Sequence, residues 1–233
     1  ERLDGVIVTD LGLLSALRRS LPSLPVIASV QAGTLNAWTA ALLKDLGVAR
    51  VVLERGATPG EAFRIKEATG LPVEMFVFGI QCCSHDALCY MGQYFTGTVC
   101  RNSCMNRLAA SGAVQGRRRW LWMKFYSGLA RVPDLVRLGI DGLKIEGRSR
   151  SSRYVQRVTR TFRAAVDAAC EGRFEVRPEW IRDLEVAALH EEITEGVFGD
   201  PLRREPHRRW FSNRNRLAYA RELWTILRET GLA

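Results

Sequence analysis

Short apolar runs alternate with segments in which apolar residues recur at three- and four-residue spacing. Apolar runs rich in β-branched or aromatic residues lie at residues 6–8, 26–30, 51–53 and 74–78, as in buried strands. Residues 11–20, 34–46 and 59–69 have the spacing of amphipathic helices. In the third segment, Thr58, Pro59 and Glu61 form the signature of a helix N-terminus. The pattern predicts a repeated strand–helix unit.

The repeat stops at Gly79. Residues 80–116 show no sustained period and contain most of the cysteines, so we expect a cysteine-rich insertion there. Regular patterns then return, and they predict strands at residues 121–123 and 142–145 and helices at residues 133–138 and 154–170.

Six strands, each followed by a helix or loop, predict an α/β fold with a parallel sheet, most naturally a TIM-like (β/α) barrel. A full barrel takes about 250 residues, and this pattern occupies only about 170. We therefore expect an incomplete barrel, or a chain that begins part-way through a longer protein. Residues 1–172 would form the barrel-like domain. Residues 173–233 would form a C-terminal helical extension, with helices at 180–190 and 214–230.

Composition excludes several classes of protein. The 233 residues are 47% hydrophobic and 25% charged, which excludes wholesale disorder. We find neither an apolar run of the roughly 18 residues needed for a membrane span nor the pattern of a signal peptide at the N-terminus. We therefore expect a cytoplasmic protein without a membrane span.

The net charge of +9 lies in the second half of the chain. Residues 1–100 contain 8 Lys/Arg and 9 Asp/Glu, whereas residues 101–233 contain 26 and 16, which gives −1 and +10. Such a field attracts RNA, anionic metabolites or an acidic partner, and it also fits a solvated arginine-rich surface. Arginines mixed with aromatic residues at 117–122 and 203–211 fit RNA contact, a protein interface, or core aromatics flanked by solvated charge.

Five of the six cysteines lie within 23 residues. Because we find no export signal in the sequence, we do not expect stable disulfides between them. Four of them form the array C-x6-C-x10-C-x3-C. Thiolates bind iron–sulfur clusters and zinc, and the absence of C-x2-C pairs favours a cluster over zinc. Buried cysteines without a metal are the remaining alternative. The array consists of Cys82, Cys89, Cys100 and Cys104.

Polar residues follow the predicted strands at the positions where a barrel builds its active site. Asp10 follows the first strand, Gln31 the second and Arg55 the third, while Lys144 and Glu146 end the last. We expect these side chains to converge on one mouth.

Three sequence features carry a family resemblance. Residues 73–82 (VEMFVFGIQC), the cysteine array and residues 142–148 (GLKIEGR) followed by Tyr154-Val155 occur in this order. The chain thereby resembles peptidase family U32, the collagenase-like proteins. Departures at residues 78–82, 87–88 and 55–56 leave the substrate open.

The resemblance implies a 4Fe-4S cluster on the four array cysteines. Several relatives take part in oxygen-independent hydroxylation of ubiquinone precursors or of a cytidine in tRNA or ribosomal RNA, with prephenate implicated as the hydroxyl donor. Other relatives have only the protease label.

Site roles follow from charge and position. Arg55 and Arg148 would bind the carboxylate of an anionic donor, with Asp10 and Gln31 lining the pocket. Lys144 and Glu146 would act in catalysis or form a buried ion pair. His85, inside the cysteine segment, would protonate an intermediate, replace a thiolate ligand or serve as a hydrogen-bonded loop residue.

We therefore expect a cluster-dependent enzyme that hydroxylates, or similarly modifies, a small aromatic metabolite or an RNA base, with the small molecule favoured. A cluster-bearing subunit without activity of its own, working with a homologous partner subunit, is one alternative. A U32 peptidase is the other.

Overall fold

The computed structural model describes residues 3–80, 125–147, 150–189 and 193–198, all of which belong to one compact unit. Strands and helices alternate along most of this unit. The strands are β1 (Val6–Val8), β2 (Val26–Ala28), β3 (Arg50–Val52), β4 (Val73–Ile80), β5 (Phe125–Ser127), β6 (Gly142–Ile145) and β7 (Ile193–Thr194). The helices are α1 (Leu11–Ser20), α2 (Ala37–Asp45), α3 (Pro59–Thr69), α4 (Val132–Arg137), α5 (Ser152–Cys170) and α6 (Pro178–Ala187).

The sheet follows chain order at its start. Strands β1, β2, β3 and β4 are paired side by side and parallel, and β6 is parallel to β4. Each of the first three strands is followed by a helix, as a parallel pairing requires a crossover. The result is a mixed α/β fold with a parallel-rich sheet. Closure of this sheet into a barrel stays a prediction.

One pairing corrects the expected all-parallel sheet. Strand β5 is antiparallel to β4, with Phe78 opposite Ser127 and Ile80 opposite Phe125. Room for this pairing comes from length, because β4 has eight residues whereas β3 has three. The last part of β4 therefore extends past β3, and β5 pairs with that part. Strand β7, which the sequence pattern did not predict, is parallel to β5.

Helix starts are set by side-chain caps. Asp10 accepts a hydrogen bond from the N–H of Leu13, and Asn36 accepts one from Thr39. Thr58 and Glu61 form the predicted capping box with Pro59 in the first turn, which satisfies N–H groups that lack partners inside the helix. Because these caps follow β1, β2 and β3, they help set where each strand–helix connection ends.

An aromatic cluster joins the sheet to α5. The ring of Phe78 lies 5.8 Å from that of Phe125, 6.2 Å from that of Tyr154 and 6.1 Å from that of Phe162, measured between centroids. Phe78 is completely buried. The cluster therefore fixes α5 against β4 and β5.

Helix α6 packs on α5, with Asp183 bonded to Arg157 at 2.9 Å. Cys170, the last residue of α5, is exposed. The predicted strand at 121–123 and helix at 214–230 lie outside the described residues. The boundary at residue 172 stays a prediction.

In the described part of the chain, no helix is both long enough and apolar enough to cross a membrane.

Candidate functional site

A group of charged side chains lies around the ends of β3, β4 and β6. Arg55 follows β3, and Glu146 immediately follows β6. Lys144 is in β6 opposite Phe76 of β4, so their side chains share one face of the sheet. The register thereby brings three residues singled out from the sequence, Arg55, Lys144 and Glu146, to one place.

The aromatic ring of Phe76 lies at the centre of this group. The Arg55 guanidinium carbon is 4.5 Å from the ring centroid, and the Lys144 Nζ is 5.9 Å from it. A cation over an aromatic face is attracted by the ring quadrupole, by about 0.5–1 kcal/mol or more when water is excluded. Phe76 therefore holds both cations at the same part of the sheet.

Glu74, two residues before Phe76, balances the charge of Lys144. The Lys144 Nζ donates to Glu74 Oε1 at 2.6 Å, and an Arg50 nitrogen lies 3.8 Å from Glu74 Oε2. One carboxylate on β4 thus contacts cations from both neighbouring strands. This arrangement favours the ion-pair alternative for Lys144 while leaving its side chain partly exposed.

Glu146 is held by contacts at both carboxylate oxygens. Oε2 accepts a hydrogen bond from the Ile80 N–H at 3.0 Å, and Oε1 lies 3.8 Å from an Arg55 nitrogen. A Cβ on Gly79 would approach the Glu146 Cβ to 2.6 Å and Oε2 to 2.7 Å. Only glycine fits at this position, so the bare backbone of Gly79 makes room for the Glu146 side chain.

Glu54 connects this group to the start of α2. Glu54 is 5% exposed, and its N–H donates to the carbonyl of Thr34 at 3.4 Å. The Glu54 carbonyl accepts from Ala57, which shapes the turn that carries Arg55. The position of Arg55 therefore depends on the loop between β2 and α2 as well as on β3.

Tyr154 lies on α5 near the same group. Burial raises the pKa of Tyr154 to about 12, with Arg150 lowering and Glu146 raising it. The Tyr154 hydroxyl is buried and has no hydrogen-bond partner among the described residues. The Arg150 guanidinium carbon lies 5.6 Å from the Tyr154 ring centroid and 5.2 Å from that of Phe125.

Asp10 and Gln31 follow β1 and β2, at the predicted edge of the sheet. Asp10 is exposed, and its carboxylate accepts the Leu13 N–H at 2.6 Å as the cap of α1. Gln31 lies in a short 3-10 helix (Val30–Ala32), where its N–H donates to the Ser29 hydroxyl. These contacts are those of chain turns, and the expected substrate-binding roles stay predictions.

The remaining predicted site residues are outside the described ranges. These residues are His85, Arg148 and the four array cysteines, Cys82, Cys89, Cys100 and Cys104. Within residues 3–80, 125–147, 150–189 and 193–198, no group of three or more His, Cys, Asp or Glu could hold a metal ion. The metal prediction rests on the cysteine array, which lies outside these ranges.

Sequence reasoning missed Glu74, Phe76 and Tyr154 as parts of this group. Glu74 had a usable signal, because it is the one charged residue in the apolar run of β4. Phe76 lies in the family motif at residues 73–82, but nothing distinguished it from its apolar neighbours in the run. Tyr154 belonged to the quoted motif, but its contact with Phe78 required knowledge of how α5 packs.

This group combines the cations of Arg50, Arg55 and Lys144 with the carboxylates of Glu74 and Glu146, and the buried Glu54 adjoins it. Guanidinium and ammonium groups can orient a phosphate or carboxylate of a ligand. The carboxylates keep the cations in position, since each contacts a cation from another strand or loop. The arrangement suits the binding of an anionic group at the ends of the strands.

Comparison with known proteins gives one family. The sequence model of peptidase family U32 matches residues 1–206. This range contains the cysteine array and all the site residues discussed above.

Several curated proteins are similar to this chain. The tRNA hydroxylation protein P1 of Bacillus subtilis is 28% identical over 215 residues, covering 84% of this chain and 51% of that protein. The tRNA hydroxylation protein P of Helicobacter pylori is 32% identical, with coverages of 70% and 44%. A 23S rRNA 5-hydroxycytidine synthase of Escherichia coli is 29% identical, with coverages of 73% and 27%. The chain thus spans about half or less of these relatives.

A solved structure described as a U32 peptidase is also similar. It shares 23% identity and a TM-score of 0.31, and the match covers 34% of this chain and 32% of that one.

Proposed function

Because the chain belongs to peptidase family U32, we propose that it takes part in the hydroxylation of an RNA base. The supporting observation is the similarity over 70–84% of its length to proteins named for tRNA hydroxylation. The similarity to the 23S rRNA 5-hydroxycytidine synthase supports ribosomal RNA as a substrate as well. These names give no support to the small-metabolite substrate that the sequence favoured, so RNA takes its place in the proposal.

The cofactor in this proposal is a 4Fe-4S cluster held by Cys82, Cys89, Cys100 and Cys104. Four thiolates are the ligand set of such clusters. When bound, the cluster supplies one-electron transfer. Replacing C–H by C–OH removes two electrons from a base, so the reaction needs an electron acceptor and an oxygen donor.

The described residues would bind and orient the reactants. Arg55, stacked on Phe76, would hold an anionic group, either the carboxylate of a prephenate-like donor or a phosphate of the RNA. Glu146 accepts a hydrogen bond from the Ile80 N–H, and Lys144 donates one to Glu74. These contacts would keep the charges beside Arg55 in place. Lys144 and Glu146 are the residues to which we assign proton exchange with a bound base.

Metal analysis tests the cofactor. The protein is purified without oxygen, and iron, acid-labile sulfide and zinc are measured for the wild type, Cys89→Ser and Cys170→Ser. We expect four irons and four sulfides in the wild type and in Cys170→Ser, whose exposed thiol ends α5, and their loss in Cys89→Ser. Stoichiometric zinc without sulfide, or equal iron in both variants, would contradict the cluster.

Nucleoside analysis tests the substrate. Hydroxylated nucleosides in tRNA and rRNA are measured by mass spectrometry in cells that lack the gene and in cells that regain it. We expect a hydroxylated nucleoside to disappear and to return with the wild type, and with Arg55→Lys at a lower level. Unchanged RNA in all strains would reject the proposal, and peptide hydrolysis by the purified protein would then favour a peptidase.

A further inference from the structure

Four arginines form one line along the outer face of α5. Arg153, Arg157, Arg160 and Arg163 are spaced by four, three and three residues, which places them on the same side of a helix. The opposite side contains buried residues, among them Val158 and Phe162. We name these four residues the α5 arginine stripe.

The stripe is exposed and only partly neutralised. The side chains of Arg160 and Arg163 are 71% and 61% exposed. Asp183 of α6 contacts both Arg157, at 2.9 Å, and Arg160, at 3.4 Å, while Asp167 contacts Arg163 at 2.5 Å. Two carboxylates therefore face four guanidinium groups, which leaves a net positive surface.

The helix dipole does not account for this placement. The peptide dipoles of a helix favour acidic residues in its first turn and basic residues in its last turn. Helix α5 has no acidic residue in its first turn and no basic residue in its last, while Arg153 lies in the first turn. A role outside the helix explains these arginines better.

The stripe begins beside the candidate site. Arg153 is next to Tyr154, whose ring packs on Phe78 and whose hydroxyl experiences the charge of Glu146. From Arg153 to Arg163 the helix rises about 15 Å, at 1.5 Å per residue. This length is sufficient to contact several consecutive phosphates of a nucleic acid strand.

We propose that the α5 arginine stripe binds the phosphate backbone of the RNA whose base enters the site around Arg55, Phe76 and Glu146. The inference rests on the proposed function, because the relatives' names supply the RNA. Guanidinium groups bind phosphate oxygens in pairs of hydrogen bonds. The stripe positions the RNA and leaves the identity of the base to the site.

The test compares two triple variants of equal charge. In the first, Arg153, Arg160 and Arg163 become Gln, and Arg157 is kept because it joins α5 to Asp183. In the control, the exposed residues Arg19, Arg64 and Arg137, which lie on α1, α3 and α4, become Gln. Binding of a synthetic unmodified tRNA is measured by filter binding across a range of salt concentrations, and circular dichroism checks that both variants fold.

For the stripe variant we expect a Kd raised by about tenfold and a slope of log Kd against log salt reduced by about two, since three phosphate contacts are lost. For the control we expect a Kd within about threefold of the wild type. Equal effects in both variants, or no tRNA binding by the wild type, would overturn the inference. Polyglutamate competing as strongly as tRNA would also overturn it and indicate an acidic protein partner.

The two proposals fail separately. If the stripe variant binds tRNA like the wild type while cells still depend on the protein for a hydroxylated nucleoside, only the stripe inference fails. If the stripe is required for tRNA binding while no RNA loses a hydroxylated nucleoside, only the proposed function fails.

Discussion

The N–H of Ile80 donates a hydrogen bond to the carboxylate of Glu146 at 3.0 Å, which ties the last residue of β4 to the residue that follows β6. In the sequence, Ile80 is two residues before Cys82. The same carboxylate lies over Gly79 and near Arg55. Glu146 thus helps to hold the end of β4 in place.

The close approach of Glu146 to Gly79 predicts that residue 79 does not accept a side chain. Gly79→Ala is expected to destabilise the protein by about 1–3 kcal/mol, as overpacking of a close contact does, because its Cβ would lie 2.6 Å from the Glu146 Cβ. Urea unfolding measures this loss. Gly56→Ala is the control, since no atom lies within 4 Å of a Cβ placed there. Equal stability of the two variants would contradict the arrangement.

Lys144 and Glu74 are expected to be energetically coupled. Their 2.6 Å hydrogen bond is partly buried, with side chains 28% and 17% exposed, so solvent screening reduces but does not remove the interaction. A double-mutant cycle with Lys144→Met and Glu74→Gln should give a coupling of about 1 kcal/mol in the free energy of unfolding. Effects that simply add would show that the pair contributes nothing.

The lowered pKa of Asp141 predicts that the protein becomes less stable in acid. Burial acts to raise the pKa of Asp141, but hydrogen bonds from Lys66 and from the Val73 N–H outweigh it, so that the pKa is lowered. A lowered pKa means that the carboxylate stabilises the folded state above its unfolded pKa of about 3.9, and that this contribution is lost as the pH falls through the folded value.

The measurement is unfolding at neutral pH and down to about pH 3, on either side of the ordinary pKa of an aspartate. Asp141→Asn should be less stable than the wild type at neutral pH, and the difference should shrink in acid. Lys66→Met is the matched variant, because it removes one of the groups that lower this pKa. A constant difference across the range would refute the linkage.

Tyr154→Phe is expected to preserve stability at neutral pH. Its hydroxyl is buried without a hydrogen-bond partner among the described residues, so that removing it costs little and removes a desolvated polar group. Because the pKa of Tyr154 is raised to about 12, the wild type should lose stability as the pH rises above about 10, where the unfolded tyrosine ionises. The Tyr154→Phe variant should lose less stability over the same rise in pH.

Thermal unfolding of both proteins between neutral pH and about pH 11 tests this, and absorbance of tyrosinate follows the titration itself. A variant that is clearly less stable than the wild type at neutral pH would show that the hydroxyl has a partner in solution.

Local structure could be predicted from the sequence because its causes are local. The helices at 11–20 and 59–69 have the predicted bounds, and the capping box of Thr58 and Glu61 is present as expected. Capping and amphipathic spacing depend on residues within a few positions of each other. The family resemblance was equally accessible, since its motifs are contiguous, and the match to residues 1–206 confirms it.

Strand pairing could not be predicted from the sequence pattern. The antiparallel β5 and the two-residue β7 depend on how far β4 extends past β3, a property of the assembled sheet. Periodicity shows which residues alternate along one strand, but it contains no information about which strand lies beside it.

The site divides in the same way. The sequence by itself determined that Arg55, Lys144 and Glu146 follow or end strands, and it supplied the cysteine array. Only the tertiary structure decided that these three side chains surround Phe76, that Glu74 holds Lys144, and that Gly79 makes room for Glu146. Such contacts join residues about 20 to 70 positions apart, so they follow from strand register and packing.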